Sequence, residues 1–274
     1  MALVEPFPDL EEILASIGAG GSHVAAIEAS EGAAGNISVY VGWPIEVRRR
    51  FPIAERIPLP QPAPHLAGGF VIVTGSGRRL REIHLDPAAN LGVVQVWPDG
   101  VSGTLYTAPA RLFDTVTSEW NSHLAVHDDT VERTGTNFHA VVHAQPPHLT
   151  YLSQIPEYRN EDFLSRRLLR WEPETIINLP AGIGALPFLL PGSAPLMEAN
   201  VESLRAHRIV VWAKHGVMAR SDISVKRAVD RIEYAETAAN YEYMDMLLGG
   251  RAEGLTVEEM RAVVAAFGVK TTLV

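Results

Sequence analysis

The sequence predicts an α/β fold, a single domain over residues 1–274 in which a central, mostly antiparallel or mixed β-sheet is flanked by helices. Three observations carry that expectation. Short β-branched runs bounded by Gly, Pro, Asn or Asp recur along the chain, as strands joined by turns do. Apolar residues at three- to four-residue spacing mark helices near the start, the middle and the end. A hydrophobic content of 47% over 274 residues is enough for one large core, and neither an internal repeat nor a low-complexity linker divides it.

Taken in order, Leu10, Ile13, Leu14 and Ile17 predict a first helix, which the glycine-rich stretch after it is expected to end. Residues 36–41, 70–74 and 92–97 read as strands; a Pro98-Asp99-Gly100 turn follows the last, and Leu105 belongs to a return strand. The proline-rich segment 52–64 between the first two reads as a surface excursion. Helical spacing resumes over 118–127, a strand over 137–143, a short helix over 149–155 and a strand over 209–212. From 224 to 248, Val225, Ala228, Ile232, Ala235, Ala239, Tyr243 and Leu247 trace one face of a long amphipathic helix. Thr256, followed by Val257, Glu258 and Glu259, predicts the capped first turn of a last helix.

Composition narrows the chemistry. A formal net charge of −9 argues against nucleic acid or an anionic membrane as partner, so an anionic substrate must be held by local groups. With zero cysteines there is no disulfide framework, thiolate ligand or thiol nucleophile, which fits a cytoplasmic enzyme using His, carboxylates and amides. The first 21 residues lack a basic region followed by an apolar one, and no apolar run approaches the roughly 18 residues of a membrane span.

Four segments bring small, polar or metal-competent groups to strand ends. Gly32 to Ser38 is a glycine-bearing turn entering a strand; it is able to expose N–H groups and the Asn36 amide to an anion, although alone it reads as an ordinary turn. Thr74-Gly75-Ser76-Gly77 resembles a phosphate cradle but lacks the Lys-Ser/Thr ending of a nucleotide loop. Thr117-Ser118-Glu119 reads as a helix cap, with an anion site and a carboxylate base as the functional alternative. The fourth is a histidine set. On a strand, His143 and Gln145 share one face about 7 Å apart, and His215 follows the strand 209–212 at a glycine turn. Three such ligands would leave an open coordination position, as a catalytic zinc site requires. His139 lies about 13 Å from His143 along the strand, too far to share an ion. His148 follows two prolines as a pocket-lining residue at best, while His23, His65, His84, His123, His127 and His207 read as surface or packing residues.

These ordered segments resemble the class II aldolase/adducin family. The resemblance spans most of the chain and is most specific over residues 70–100, FVIVTGSGRRLREIHLDPAANLGVVQVWPDG; it continues through Thr117-Ser118-Glu119, Leu179-Pro180-Ala181-Gly182-Ile183-Gly184, Pro191-Gly192-Ser193 and Lys214-His215-Gly216. It implies reversible retro-aldol cleavage of a ketose 1-phosphate, L-rhamnulose 1-phosphate first among them, to dihydroxyacetone phosphate and L-lactaldehyde through a metal-stabilised enediolate. By position, the resemblance assigns Gly35, Asn36, Ser76, Gly77, Thr117 and Ser118 to the substrate phosphate, Glu119 to acid/base catalysis, His143 and His215 to the metal, and Glu174 to a neighbouring subunit's site in a C4 homotetramer. The resemblance implies a divalent metal, Zn²⁺ first. Gln145 stands where the family's second zinc histidine is expected, and its amide oxygen shifts preference toward harder ions such as Mn²⁺ or Mg²⁺ and also admits Co²⁺; His148 is the other candidate for that position. Ala33 replaces a substrate-side asparagine of the rhamnulose-phosphate branch. Other expectations from the family are a phosphosugar epimerase or dehydratase, or a non-catalytic adducin-like interaction module.

Overall fold

Nine strands form one sheet in the computed structural model, which describes residues 2–274. They are β1 (Asn36–Val41), β2 (Ile53–Pro58), β3 (Phe70–Thr74), β4 (Leu91–Val96), β5 (Ser102–Thr107), β6 (Phe138–Ala144), β7 (Gly184–Leu186), β8 (Ile209–Trp212) and β9 (Gly216–Ser221). Their spatial order is β2-β5-β4-β3-β1-β6-β9-β8-β7, and every neighbouring pair is antiparallel except β7 with β8. The helices are α1 (Leu10–Ala26), α2 (Pro87–Asn90), α3 (Trp120–Thr134), α4 (Pro147–Leu152), α5 (Glu161–Leu168), α6 (Pro173–Asn178), α7 (Ala194–Ala206), α8 (Val225–Leu247) and α9 (Val257–Phe267). This is the mixed, helix-flanked α/β domain expected from the sequence. Among the described residues, no helix is long and apolar enough to cross a membrane.

The period-two geometry of the central strands divides the core in two. Ile37, Val39 and Val41 of β1 join Ala140, Val142 and Ala144 of β6 in the cluster beneath α1 and α8. The alternate residues turn to the other face. Val141 meets Val126 of α3 and Leu196 and Leu204 of α7, while Tyr40 packs near Trp120 and Leu124. Central strands covered on both faces are expected to be apolar throughout, so the polar residues at alternate positions of β1 and β6 are exceptions that need partners.

Two expectations are corrected. The first helix does not end at its glycines; it runs through Gly18, Gly20 and Gly21 to Ala26. A Cβ on Gly18 would lie 2.9 Å from the His84 Cα, and one on Gly20 would lie 2.6 Å from a Val225 methyl. Close packing against the 80–84 turn and α8 thus compensates a propensity cost of about 1 kcal/mol per glycine. Nor is 52–64 a plain excursion, because β2 forms within it and pairs with β5. It is exposed and lies at the sheet edge, the one place where a strand bounded by prolines fits.

Candidate active site

Three elements bring one carboxylate and two imidazoles together. In the β1/β6 register Asn36 sits directly opposite His143. Glu119 occupies the N-cap position of α3, yet its side chain makes no capping bond; Thr117 Oγ1 instead accepts from the Glu119 N–H at 3.3 Å. Freed from the helix end expected for it, the Glu119 carboxylate turns into the sheet. Its Oε2 accepts from the Asn36 amide at 3.0 Å and lies 3.6 Å from His143 Nε2, while Oε1 lies 3.5 Å from His215 Nε2. Burial pushes the Glu119 carboxyl up, but His143, the Asn36 donor and His215 outweigh it and hold the group below its usual range.

His143 is aimed from behind. Its Nδ1 lies 2.8 Å from the Val217 carbonyl oxygen, so Nδ1–H donates there and Nε2 is turned toward Glu119. Its ring stacks on Trp212 with centroids 4.8 Å apart, and Trp212 is pinned by an indole N–H donated to Asn200. His215 arrives through a tight turn between β8 and β9, in which Lys214 takes φ 67° and the His215 N–H donates to the Trp212 carbonyl. Burial lowers the His215 pKa, and neighbouring His143 lowers it further against the pull of Glu119.

The ligand atoms of Glu119, His143 and His215 all lie within 4.8 Å of one another, close enough to hold a metal ion. The donor set fits a divalent cation. Separations of 3.5 and 3.6 Å are too long for good hydrogen bonds, both Nε2 atoms point inward, and a carbonyl fixes the His143 tautomer, as hydrogen-bond acceptors behind metal-bound imidazoles do. Gln145, just beyond β6, is half-buried, and its Cγ and the His143 Cε1 converge on Gly216, where an added Cβ would lie 3.0 and 3.2 Å from them. His148 is turned to α8 instead, its Nδ1 2.7 Å from Glu236 Oε1.

The same close approach makes Gly216 unreplaceable, since a Cβ there would also collide with the Ala144 carbonyl oxygen. Gly216→Ala is expected to lower stability by about 2 kcal/mol and the melting temperature by roughly 4–8 °C. An unchanged thermal melt would show that this turn yields freely.

The loops expected to hold phosphate are zipped side by side. Ser76 N–H donates to the Thr115 carbonyl and Thr117 N–H to the Thr74 carbonyl, with an isolated bridge between Gly75 and Val116. Thr74 Oγ1 also accepts from the Ile37 N–H, tying in the turn with Gly35 and Asn36. Ser76, Gly77 and Ser118 are exposed; Asn36 and Thr117 are buried. Glu174, exposed on α6, is not part of the Glu119 cluster. A groove of about 890 Å³ between the N-terminal segment and the loop after β1 is lined by Phe7, Trp43 and Arg50 and contains none of these residues.

Sequence reading missed one part of the site's surroundings. His123 and His127, expected at the surface or in packing, are fully buried on α3 and hydrogen-bonded to Ser38 at 2.7 Å each, and His123 also reaches Asn36. The signal was present: histidines four apart share a helix face, and Asn36, Ser38 and Tyr40 alternate on one side of a buried strand.

Residues 17–243 match the family described as the Class II Aldolase and Adducin N-terminal domain. The chain is 34% identical over 215 residues to a rhamnulose-1-phosphate aldolase of Klebsiella pneumoniae strain 342, covering 78% of this chain and 76% of that one. It resembles the crystal structure of a sugar-phosphate aldolase from Thermotoga maritima with a TM-score of 0.74 and 27% identity, covering 89% of this chain and 98% of the other. L-fuculose-1-phosphate aldolase from Thermus thermophilus, at 19% identity and TM-score 0.56, covers 89% and 98% and shares the fold.

Proposed function

From its membership of the class II aldolase and adducin family, to which this chain belongs, we propose a metal-dependent lyase that cleaves a ketose 1-phosphate reversibly. L-rhamnulose 1-phosphate is the preferred substrate, and dihydroxyacetone phosphate and L-lactaldehyde are the products. The observation that carries this reading is the Glu119 carboxylate held between the Nε2 atoms of His143 and His215. These two imidazoles, with Gln145, would hold a divalent cation, Zn²⁺ first and Mn²⁺, Co²⁺ or Mg²⁺ as alternatives admitted by the amide. When bound, it supplies Lewis-acid polarisation of the ketose oxygens. The engagement of His148 by Glu236 supports Gln145 in that role.

Glu119 is the acid/base: its carboxylate takes up the proton that the substrate's C4 hydroxyl gives up as the C3–C4 bond breaks, passes it to C3 of the triose phosphate, and removes it from C3 in the reverse direction. Asn36 orients that carboxylate through its 3.0 Å hydrogen bond. Gly35, Asn36, Ser76, Gly77, Thr117 and Ser118 bind the phosphate through N–H groups and hydroxyls, which a chain of net charge −9 needs in place of a general positive field. Glu174, exposed on α6, serves the site of a neighbouring subunit in a C4 homotetramer. A chain without cysteine suits the cytoplasm.

The test supplies L-rhamnulose 1-phosphate and L-fuculose 1-phosphate to the purified protein with Zn²⁺, Mn²⁺ or Co²⁺ and measures dihydroxyacetone phosphate. Release from the rhamnulose ester, faster than from the fuculose ester, is expected. No triose phosphate with any metal would overturn the reading; an epimerised or dehydrated product would reassign it within the family.

A further inference from the structure

Behind Glu119 runs an unbroken line of buried hydrogen bonds. Asn36 Nδ2 reaches Glu119, Asn36 Oδ1 reaches His123 Nε2, His123 Nδ1 reaches Ser38 Oγ at 2.7 Å, Ser38 Oγ reaches His127 Nε2 at 2.7 Å, and His127 Nδ1 reaches His139 Nδ1 at 2.8 Å. Ser38, His123, His127 and His139 are each 0% exposed, so no water competes for these groups. Burial pushes the His123 pKa down to about 3 against the pull of Glu119, and burial pushes those of His127 and His139 well below the usual range, so all three rings are neutral.

A neutral imidazole has one donor and one acceptor, and a hydroxyl has one proton to give. Those counts leave a single solution. An ionised carboxylate only accepts, so Asn36 turns its NH₂ to Glu119 and its oxygen to His123. His123 must then carry its proton on Nε2 and accept at Nδ1 from the Ser38 hydroxyl. Ser38, its one proton donated, accepts from His127 Nε2–H, and His127 Nδ1 accepts from His139 Nδ1–H. His139 is left with a bare Nε2, which is buried without a hydrogen-bond partner, in the field of the Arg220, Arg208 and Arg231 guanidiniums. A cationic environment at that end favours a lone pair there.

We infer that Ser38, His123, His127 and His139 are positioning residues forming one directed hydrogen-bond chain that fixes the Asn36 amide with its donor toward Glu119. With His123 in the opposite tautomer, a lone pair would face the Asn36 oxygen; the amide would rotate and set its oxygen against the Glu119 carboxylate. The two ends of an Asn side chain are nearly the same shape, so packing cannot choose between them, and the choice falls to the hydrogen bonds. The link to catalysis rests on the aldolase reading; the proton assignment does not.

The deciding experiment is ¹⁵N NMR of the full chain labelled at histidine, because protonated and bare imidazole nitrogens resonate far apart. Expected are protons on Nε2 of His123 and His127 and on Nδ1 of His139, with assignments from single His→Gln variants. A His123 proton on Nδ1, or on both nitrogens, overturns the inference. In the aldol assay, Ser38→Ala is expected to lower kcat about tenfold with KM nearly unchanged, and Ser38→Thr, which keeps the hydroxyl, to restore most of it. Equal losses for both variants would mark Ser38 as a packing residue and overturn its role here. Wrong tautomers in an active aldolase defeat the chain alone; the expected tautomers in a protein that cleaves no ketose phosphate uphold the chain and defeat the aldolase reading alone.

Discussion

Glu119→Gln is expected to lower kcat for ketose 1-phosphate cleavage about a thousandfold, within the range that positioned acid/base groups contribute. Glutamine keeps the length and one acceptor oxygen, so the Asn36 bond survives and neither a cavity nor a clash arises at this 4% exposed position. What it loses is the proton-transfer capacity. With the retained oxygen at the Oε2 position, the amide NH₂ takes the Oε1 position and faces the His215 Nε2 across 3.5 Å, a neutral contact in place of the carboxylate charge. The measurement pairs kcat with metal content: a large fall in rate with metal retained marks Glu119 as the base, whereas activity within tenfold of wild type would overturn that role. Glu174 adds a second arm. Mixing inactive Glu119→Gln and Glu174→Ala chains, with subunit exchange, should recover part of the activity, because one site in a mixed assembly can receive both intact residues; no recovery would remove Glu174 from a neighbour's site.

The fold was legible where a strand announces itself locally. Residues 36–41 and 70–74 match β1 and β3, because β-branched runs between turn residues leave little choice. The end of α1 was illegible, since the glycines that ordinarily stop a helix are here the condition for its packing against residues 80–84. β2 was hidden by its prolines, and β9, Gly216–Ser221, by having no turn signal beyond the one glycine. At the site, the spacing of His143 and Gln145 and the turn at His215 could be read directly. The direction of the Glu119 side chain could not. A carboxylate at a helix start looks like a cap until the sheet order is known, and only the β1/β6 pairing puts Asn36 opposite His143 to draw it inward. The buried histidines were dismissed for the same reason. Four-residue spacing on α3 gives His123 and His127 a common face, but their partner Ser38 lies 85 and 89 residues away.

Removing divalent metal with a chelator is expected to abolish cleavage, with Zn²⁺, Mn²⁺ or Co²⁺ restoring it, and His215→Ala is expected to weaken metal binding by more than about a hundredfold. Loss of an outer-sphere partner commonly costs ten- to a hundredfold in affinity, and His215 contributes a ligand atom itself. The substitution is a clean one. His215 lies on a turn whose backbone bond to Trp212 needs no side chain, and the ring is partly exposed, so alanine there leaves the core intact. Affinity is read by calorimetric titration of the metal-free protein, independently of turnover. Full activity after exhaustive chelation, or wild-type affinity in His215→Ala, would overturn the metal assignment. The identity of the ion turns on Gln145. A neutral amide oxygen is a harder donor than imidazole and favours Mn²⁺ or Mg²⁺ relative to Zn²⁺, so Gln145→His should raise the Zn²⁺ affinity more than that for Mn²⁺. Gln145 Cγ and His143 Cε1 both border Gly216, so the new imidazole would enter beside an existing one. Unchanged relative affinities would place Gln145 outside the coordination sphere and leave Glu119, His143 and His215 as the protein's ligands.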